Sequence, residues 1–146
     1  MAINVLGLAG SPEIGGNTEL LLDKTLEGCK SKKDVIVEKI VVSKLNIKPC
    51  DSCRSCEKSG VCKKGDDMQV VYSKLASANR IVVASPVYFM GVTAQLKCLI
   101  DRCQVLWARK FLIKEKQSNN DQNKSKKGIL ISTCGNKNPD IFEGVS

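Results

Sequence analysis

Four of the chain's eight cysteines fall within the thirteen residues CDSCRSCEKSGVC, Cys50 to Cys62, with the spacing C-x2-C-x2-C-x5-C. Thiols packed this densely suit metal or redox chemistry. Three thiolates at two-residue intervals can wrap a cubane so that each meets a different iron, and a fourth a few residues later can close the last corner. Structural zinc held by four cysteines more often uses two C-x2-C knuckles set some distance apart. The spacing favours an iron-sulfur site over zinc and over thiols that bind nothing. The chain has no histidine, which removes the commonest general base and leaves any metal site to sulfur or carboxylate.

A second candidate site lies near the start, in SPEIGGNT. Ser11, Asn17 and Thr18 offer side-chain hydrogen bonds, Gly15 and Gly16 let backbone approach closely, and a helix N-terminus follows. A phosphate monoester fits such a loop. The sequence is neither G-x-G-x-x-G nor a Walker loop with its Lys-Ser/Thr pair, so dinucleotide and nucleoside triphosphate sites lose weight. Plain helix capping by Asn17 or Thr18 is the competing explanation.

The elements that must carry these residues alternate between strand and helix. INVLGLAG, DVIVEKIVV, RIVVASPVYF and GILIST read as strands, from their β-branched, apolar runs. TELLLDKTLEGC, MQVVYSKLASA and GVTAQLKCLIDRCQVLW read as helices. The last of these has Leu96, Leu99, Ile100, Cys103, Leu106 and Trp107 at helical spacing. The polar run Lys114 to Lys127 reads as a mobile surface loop. Such alternation implies a parallel sheet with helices on both faces, and ligands bind beyond the carboxyl ends of its strands. Three loops leave those ends: Gly10 to Thr18, Ser85 to Gly91 and Thr133 to Asn138.

Composition bounds the rest. With 146 residues, 42% of them apolar, the chain can bury a proper core as one unit. No window approaches the roughly 18 apolar residues of a membrane span, and the N-terminus does not read as a secretory signal. A cytoplasmic protein without membrane association is expected. The net charge is +8 but aromatics make up only 4%, so stacking platforms for nucleic acid are missing and no nucleic-acid partner is expected. The surplus charge reads as a solvated surface or as a dock for an acidic protein.

Taken in order, GLAGSPEIGGNTELLL, PCDSCRSCEKSGVCKKGDDM and SPVYFMGVTAQLKCLIDR resemble the iron-sulfur flavoproteins of the flavodoxin-like NADPH-dependent FMN reductase superfamily. The resemblance covers essentially the whole chain. It implies an α/β fold, a flavodoxin-like, three-layer, doubly wound parallel sheet. It implies FMN, with Ser11, Gly16, Asn17 and Thr18 at its phosphate. Pro86, Val87, Tyr88, Phe89, Met90 and Gly91 would flank the isoalloxazine, with Thr133, Gly135 and Asn136 in a third flavin loop. It implies a [4Fe-4S] cluster on Cys50, Cys53, Cys56 and Cys62. It further implies a homo-oligomer, a dimer or higher, that takes electrons from an acidic donor such as ferredoxin and passes them to a small acceptor. Lys48, Arg54, Lys58, Lys63 and Lys64 would offset the cluster's charge and receive that donor.

These readings give one domain over residues 1–146 with a cysteine-rich insert at about 48–66. No catalytic nucleophile or base is expected, because the hard chemistry belongs to the cofactors. Two alternatives stand beside this reading: an NAD(P)H-dependent FMN or quinone reductase without a cluster, and a zinc-stabilised redox-responsive binding protein. Cys29, Cys98 and Cys103 read as small core residues, and Asp66 and Asp67 as caps of the following helix. Glu13 stands where related loops commonly carry a basic residue. Flavodoxin-like sheets usually have five strands. The fifth is expected to be missing from this chain, through truncation or because a partner subunit completes the edge.

Overall fold

The short apolar runs pair as expected, because strands buried on both faces need apolar side chains on both. The structure, a computed structural model, describes residues 2–113 and 126–145. Strand β1 (Ile3–Ala9) is followed by helix α1 (Asn17–Lys30) and strand β2 (Val35–Val41). A 3-10 turn, Val42–Lys44, leads into the cysteine run, within which Ser55–Ser59 forms the short helix α2. Helix α3 (Met68–Ser77), strand β3 (Arg80–Pro86) and helix α4 (Ala94–Arg102) follow. Helix α5 (Gln104–Ala108) runs into a π-helical turn, Arg109–Ile113; strand β4 (Lys127–Thr133) and a 3-10 turn, Pro139–Phe142, complete the described elements.

All pairings among the four strands are parallel, in the order β2-β1-β3-β4. Ala9 aligns with Val41 on one side and Ala84 on the other, and Pro86 aligns with Thr133. The strands' carboxyl ends therefore lie together. The order reverses direction at β1 and β3, which opens the crevice between their loops.

Alternation along β1 builds the two outer layers. Val5 and Ala9 pack with Leu22 and Leu26 of α1 and with Val82 and Ala84 of β3. On the other face, Leu6 and Leu8 meet Met68, Val71 and Leu75 of α3 and Leu96 and Leu99 of α4. A buried side chain of this size contributes about 1.5–3 kcal/mol. Gly7 lets α1 lie close, since a Cβ there would come within 2.6 Å of Leu26.

The long final helix differs from expectation. It breaks at Cys103, whose amide turns back to the Ile100 carbonyl at 2.9 Å. The break rotates the apolar face, so Val105 and Ala108 are buried whereas Trp107 is exposed; Ile100, before the break, is exposed as well. The third strand stops at Pro86, because a tight turn at Phe89 and Met90 follows. Most of the polar run expected to be a mobile loop, residues 114–125, lies outside the described residues. Lys126 is anchored, its Nζ donating to the carbonyls of Leu75 and Ala76, and Lys127 opens β4. No helix among the described residues is long and apolar enough to cross a membrane.

Candidate functional site

The loops after β1, β3 and β4 enclose a cavity of about 220 Å³. Ser11, Asn17 and Thr18 line it from the first loop and Pro86, Val87 and Tyr88 from the second. Thr133 and Gly135 line it from the third, so eight expected flavin-side residues share one space. Glu13 and Cys134 line it as well, while Gly16, Phe89, Met90, Gly91 and Asn136 do not.

The backbone in this region is arranged for an anion. The N-cap of α1 is Gly16 and no side chain caps the helix, so neither Asn17 nor Thr18 serves the capping role that competes with ligand binding. The first-turn amides thus carry the positive end of a 14-residue helix toward the loop. Thr18 instead bonds Thr133, Oγ1 to Oγ1 at 2.5 Å, tying the first loop to the third. Gly15 sits at φ +74°, a left-handed conformation that other residues seldom adopt. Its amide donates to Glu19 Oε2 at 2.7 Å.

Glu19 is a residue that the sequence reading missed, although a glutamate three positions after a helix cap is a known signal. Its buried carboxylate also accepts from Lys39 Nζ at 2.8 Å, and Lys39 contacts Asp23. The Lys39 ammonium, with the Gly15 amide, holds the Glu19 carboxyl below its ordinary value, against the opposing effect of burial. The second loop is tied back by Thr93. Its amide donates to Ser85 Oγ at 3.2 Å, and its hydroxyl donates to the Gly10 carbonyl while capping α4.

The four clustered cysteines line a second cavity of about 450 Å³, reached from the loop that follows β2. Cys50 and Cys53 are exposed, and Cys56 and Cys62 are half-buried against the core. Burial pushes the Cys56 thiol up. Ser52 at φ 53° and Arg54 at φ 56° curl the run back on itself. Asp51 is held down at about 2 by Lys64, whose Nζ lies 3.0 Å away, and by Cys53. No group of three or more thiol or carboxylate side chains among the described residues converges as a single-ion metal site would require. Zinc needs every thiolate about 2.3 Å from one point. A cubane accepts thiolates spread around a larger body, so this donor set and this space fit a cluster better than a lone ion.

The run is anchored from behind. Arg102 is buried and donates to Asp66 and to the Lys48 carbonyl, and Arg109 Nε donates to the Gly60 carbonyl at 2.6 Å. Asp66 takes the expected cap bond from the Met68 amide at 3.2 Å. Asp67 does not cap through its side chain, which accepts from the Asn46 amide instead. Cys103, half-buried against the core, has a thiol pushed up to about 11 by burial, and Cys98 is raised by burial too. Arg54 lines the cysteine cavity and is exposed, as are Lys48, Lys58 and Lys63.

The model of the NADPH-dependent FMN reductase family matches residues 3–139. The chain is 34% identical over 136 residues to an iron-sulfur flavoprotein of Methanosarcina thermophila, covering 93% of this chain and 65% of that protein. It is 38% identical over 104 residues to an iron-sulfur flavoprotein of Methanocaldococcus jannaschii, covering 71% of this chain and 53% of that one. The chain thus spans between about half and two thirds of the length of these relatives. Among solved structures, it superposes on an NAD(P)H:quinone oxidoreductase from Methanothermobacter marburgensis with a TM-score of 0.68 at 14% identity, covering 99% of this chain and 70% of that one. An FMN-dependent NADH-azoreductase from Bacillus anthracis in complex with FMN gives 0.66 at 18% identity, with 95% and 75% coverage. At such identities the likeness shows the flavodoxin-like fold alone.

Proposed function

The chain belongs to the NADPH-dependent FMN reductase family, and from that premise we propose that it is an FMN-dependent oxidoreductase supplied with electrons by a [4Fe-4S] cluster. The observation that carries this reading is the placement of Cys50, Cys53, Cys56 and Cys62 around one cavity. The cysteine run follows the carboxyl end of β2, which aligns with that of β1. The relatives' name, iron-sulfur flavoprotein, agrees with it.

In this reading the uncapped first turn of α1, with Ser11, Gly16, Asn17 and Thr18, binds the FMN phosphate. Pro86, Val87, Tyr88, Phe89, Met90 and Gly91 border the ring system, and Thr133, Gly135 and Asn136 close the third side. Residues 1–146 act as one FMN-binding unit with the insert at 48–66 as its electron port. When bound, the cluster exchanges single electrons and FMN one or two, for delivery to a small acceptor. The protein's own part is to hold both groups, exclude water around them and neutralise their charge.

Exposed Lys48, Arg54, Lys58 and Lys63 suit an acidic donor protein such as a ferredoxin. We further infer a homo-oligomer working in the cytoplasm. A reductase without a cluster is the second reading, in line with the family's description as NADPH-dependent FMN reductase.

Anaerobic purification followed by flavin, iron, acid-labile sulfide and zinc analysis separates the readings. The wild type is expected to carry FMN with matched iron and sulfide. Cys50→Ala/Cys53→Ala should lose iron and sulfide while keeping its flavin. Flavin without iron in the wild type would establish the plain reductase, and zinc without flavin would sink both.

A further inference from the structure

Arg102 ends α4, where a charged side chain is ordinarily expected at the surface. Its guanidinium is instead 1% exposed and the Asp66 carboxylate opposite it 0% exposed. Nη1 donates to Asp66 Oδ2 at 2.6 Å and to the Lys48 carbonyl at 2.7 Å, and Nη2 to Asp66 Oδ1 at 3.0 Å. Asp66 also accepts from the Lys48 amide at 3.0 Å. Both backbone groups of Lys48 are thus held by one ion pair. Lys48 lies just before Cys50 and Asp66 just after Cys62, so the pair closes the base of the whole cysteine loop.

Arg102 lines the cavity together with the four cysteines, and the Tyr72 hydroxyl holds its backbone carbonyl at 2.9 Å. A buried ion pair is often replaceable by apolar residues without loss of stability, so packing alone gives no reason for one here.

Resting on the cluster reading above, we propose that Arg102 is the positioning residue of the cysteine site. With Asp66 it fixes both ends of the 48–66 loop so that the thiols face one cavity before metal arrives.

The test uses the full chain made anaerobically without metal and titrated with Co²⁺ alone, followed by cluster reconstitution with iron and sulfide. Arg102→Lys keeps the charge but loses the fork that spans Asp66 and the Lys48 carbonyl. Arg102→Met/Asp66→Leu removes both charges and fills their space, which protects the fold. Both variants should bind Co²⁺ at least about tenfold more weakly and release iron to a chelator faster, with FMN retention as in the wild type. A general loss of structure would instead release FMN. Wild-type Co²⁺ affinity and iron release in both variants would overturn the inference and leave the cluster reading intact. Failure of the wild type to take up iron and sulfide would overturn both.

Discussion

Gly15 and Lys39 lie on either side of the Glu19 carboxylate, so one buried side chain fixes the turn of the first loop and anchors α1 to β2. Because the folded-state pKa of Glu19 is lowered from 4.5, its contribution is fully present above that value and is lost as pH falls through the folded value. Glu19→Gln should cost about 1 kcal/mol at pH 7, after allowing for solvent around half-exposed Lys39. The variant should also show a flatter decline below pH 4.5. Urea unfolding at a series of pH values reads both, and parallel pH curves would remove Glu19 from this role. Glu19 was legible in principle from its distance to the helix start. The Arg102–Asp66 pair was not, because its members stand far apart in the chain and Asp66 alone reads as a helix cap. The clustered cysteines announced themselves by spacing, which is a local property.

Among the elements, strands and helices followed from period and β-branching, and their failures have local causes. The periodicity of the last helix runs straight through Cys103, and only the turn there sends Trp107 outward. The tip after β3 was equally hidden. Tyr88 and Gly91 bridge as an antiparallel pair around Phe89 at φ 48° and Met90 at φ 61°. Such a two-residue tip prefers Asn-Gly, and left-handed backbone costs other residues about 1–2 kcal/mol each. Phe89 is fully exposed, so replacing it forfeits no packing. Phe89→Asn/Met90→Gly should therefore stabilise the flavin-free protein by about 1–2 kcal/mol while weakening FMN binding several-fold. Calorimetry and flavin fluorescence titration check the two halves. Stabilisation with unchanged FMN affinity would show that these side chains do not border the ring.

For the molecule as a whole, the parallel sheet and its two apolar layers were legible, as was the position of the flavin-side loops at the carboxyl ends of the strands. The sheet order leaves β4 paired on one side only among the described residues, with Ile129 60% and Leu130 43% exposed. An exposed apolar edge invites another chain. Covering Ile129 is worth about 1.5–3 kcal/mol, so Ile129→Lys should weaken self-association by roughly tenfold or more. Sedimentation velocity over a concentration series measures this, and an unchanged distribution would place the contact elsewhere. The ion pair beneath the cysteine loop has a consequence for biosynthesis. Arg102 is translated after every residue of the loop it closes, so on the ribosome the four thiols emerge on a slack tether. That tether tightens only once α4 has been made and has docked. On the proposed cluster reading, stable cluster insertion waits until α4 has been made, and a message cut short before Arg102 should yield cysteines that retain a cluster less well.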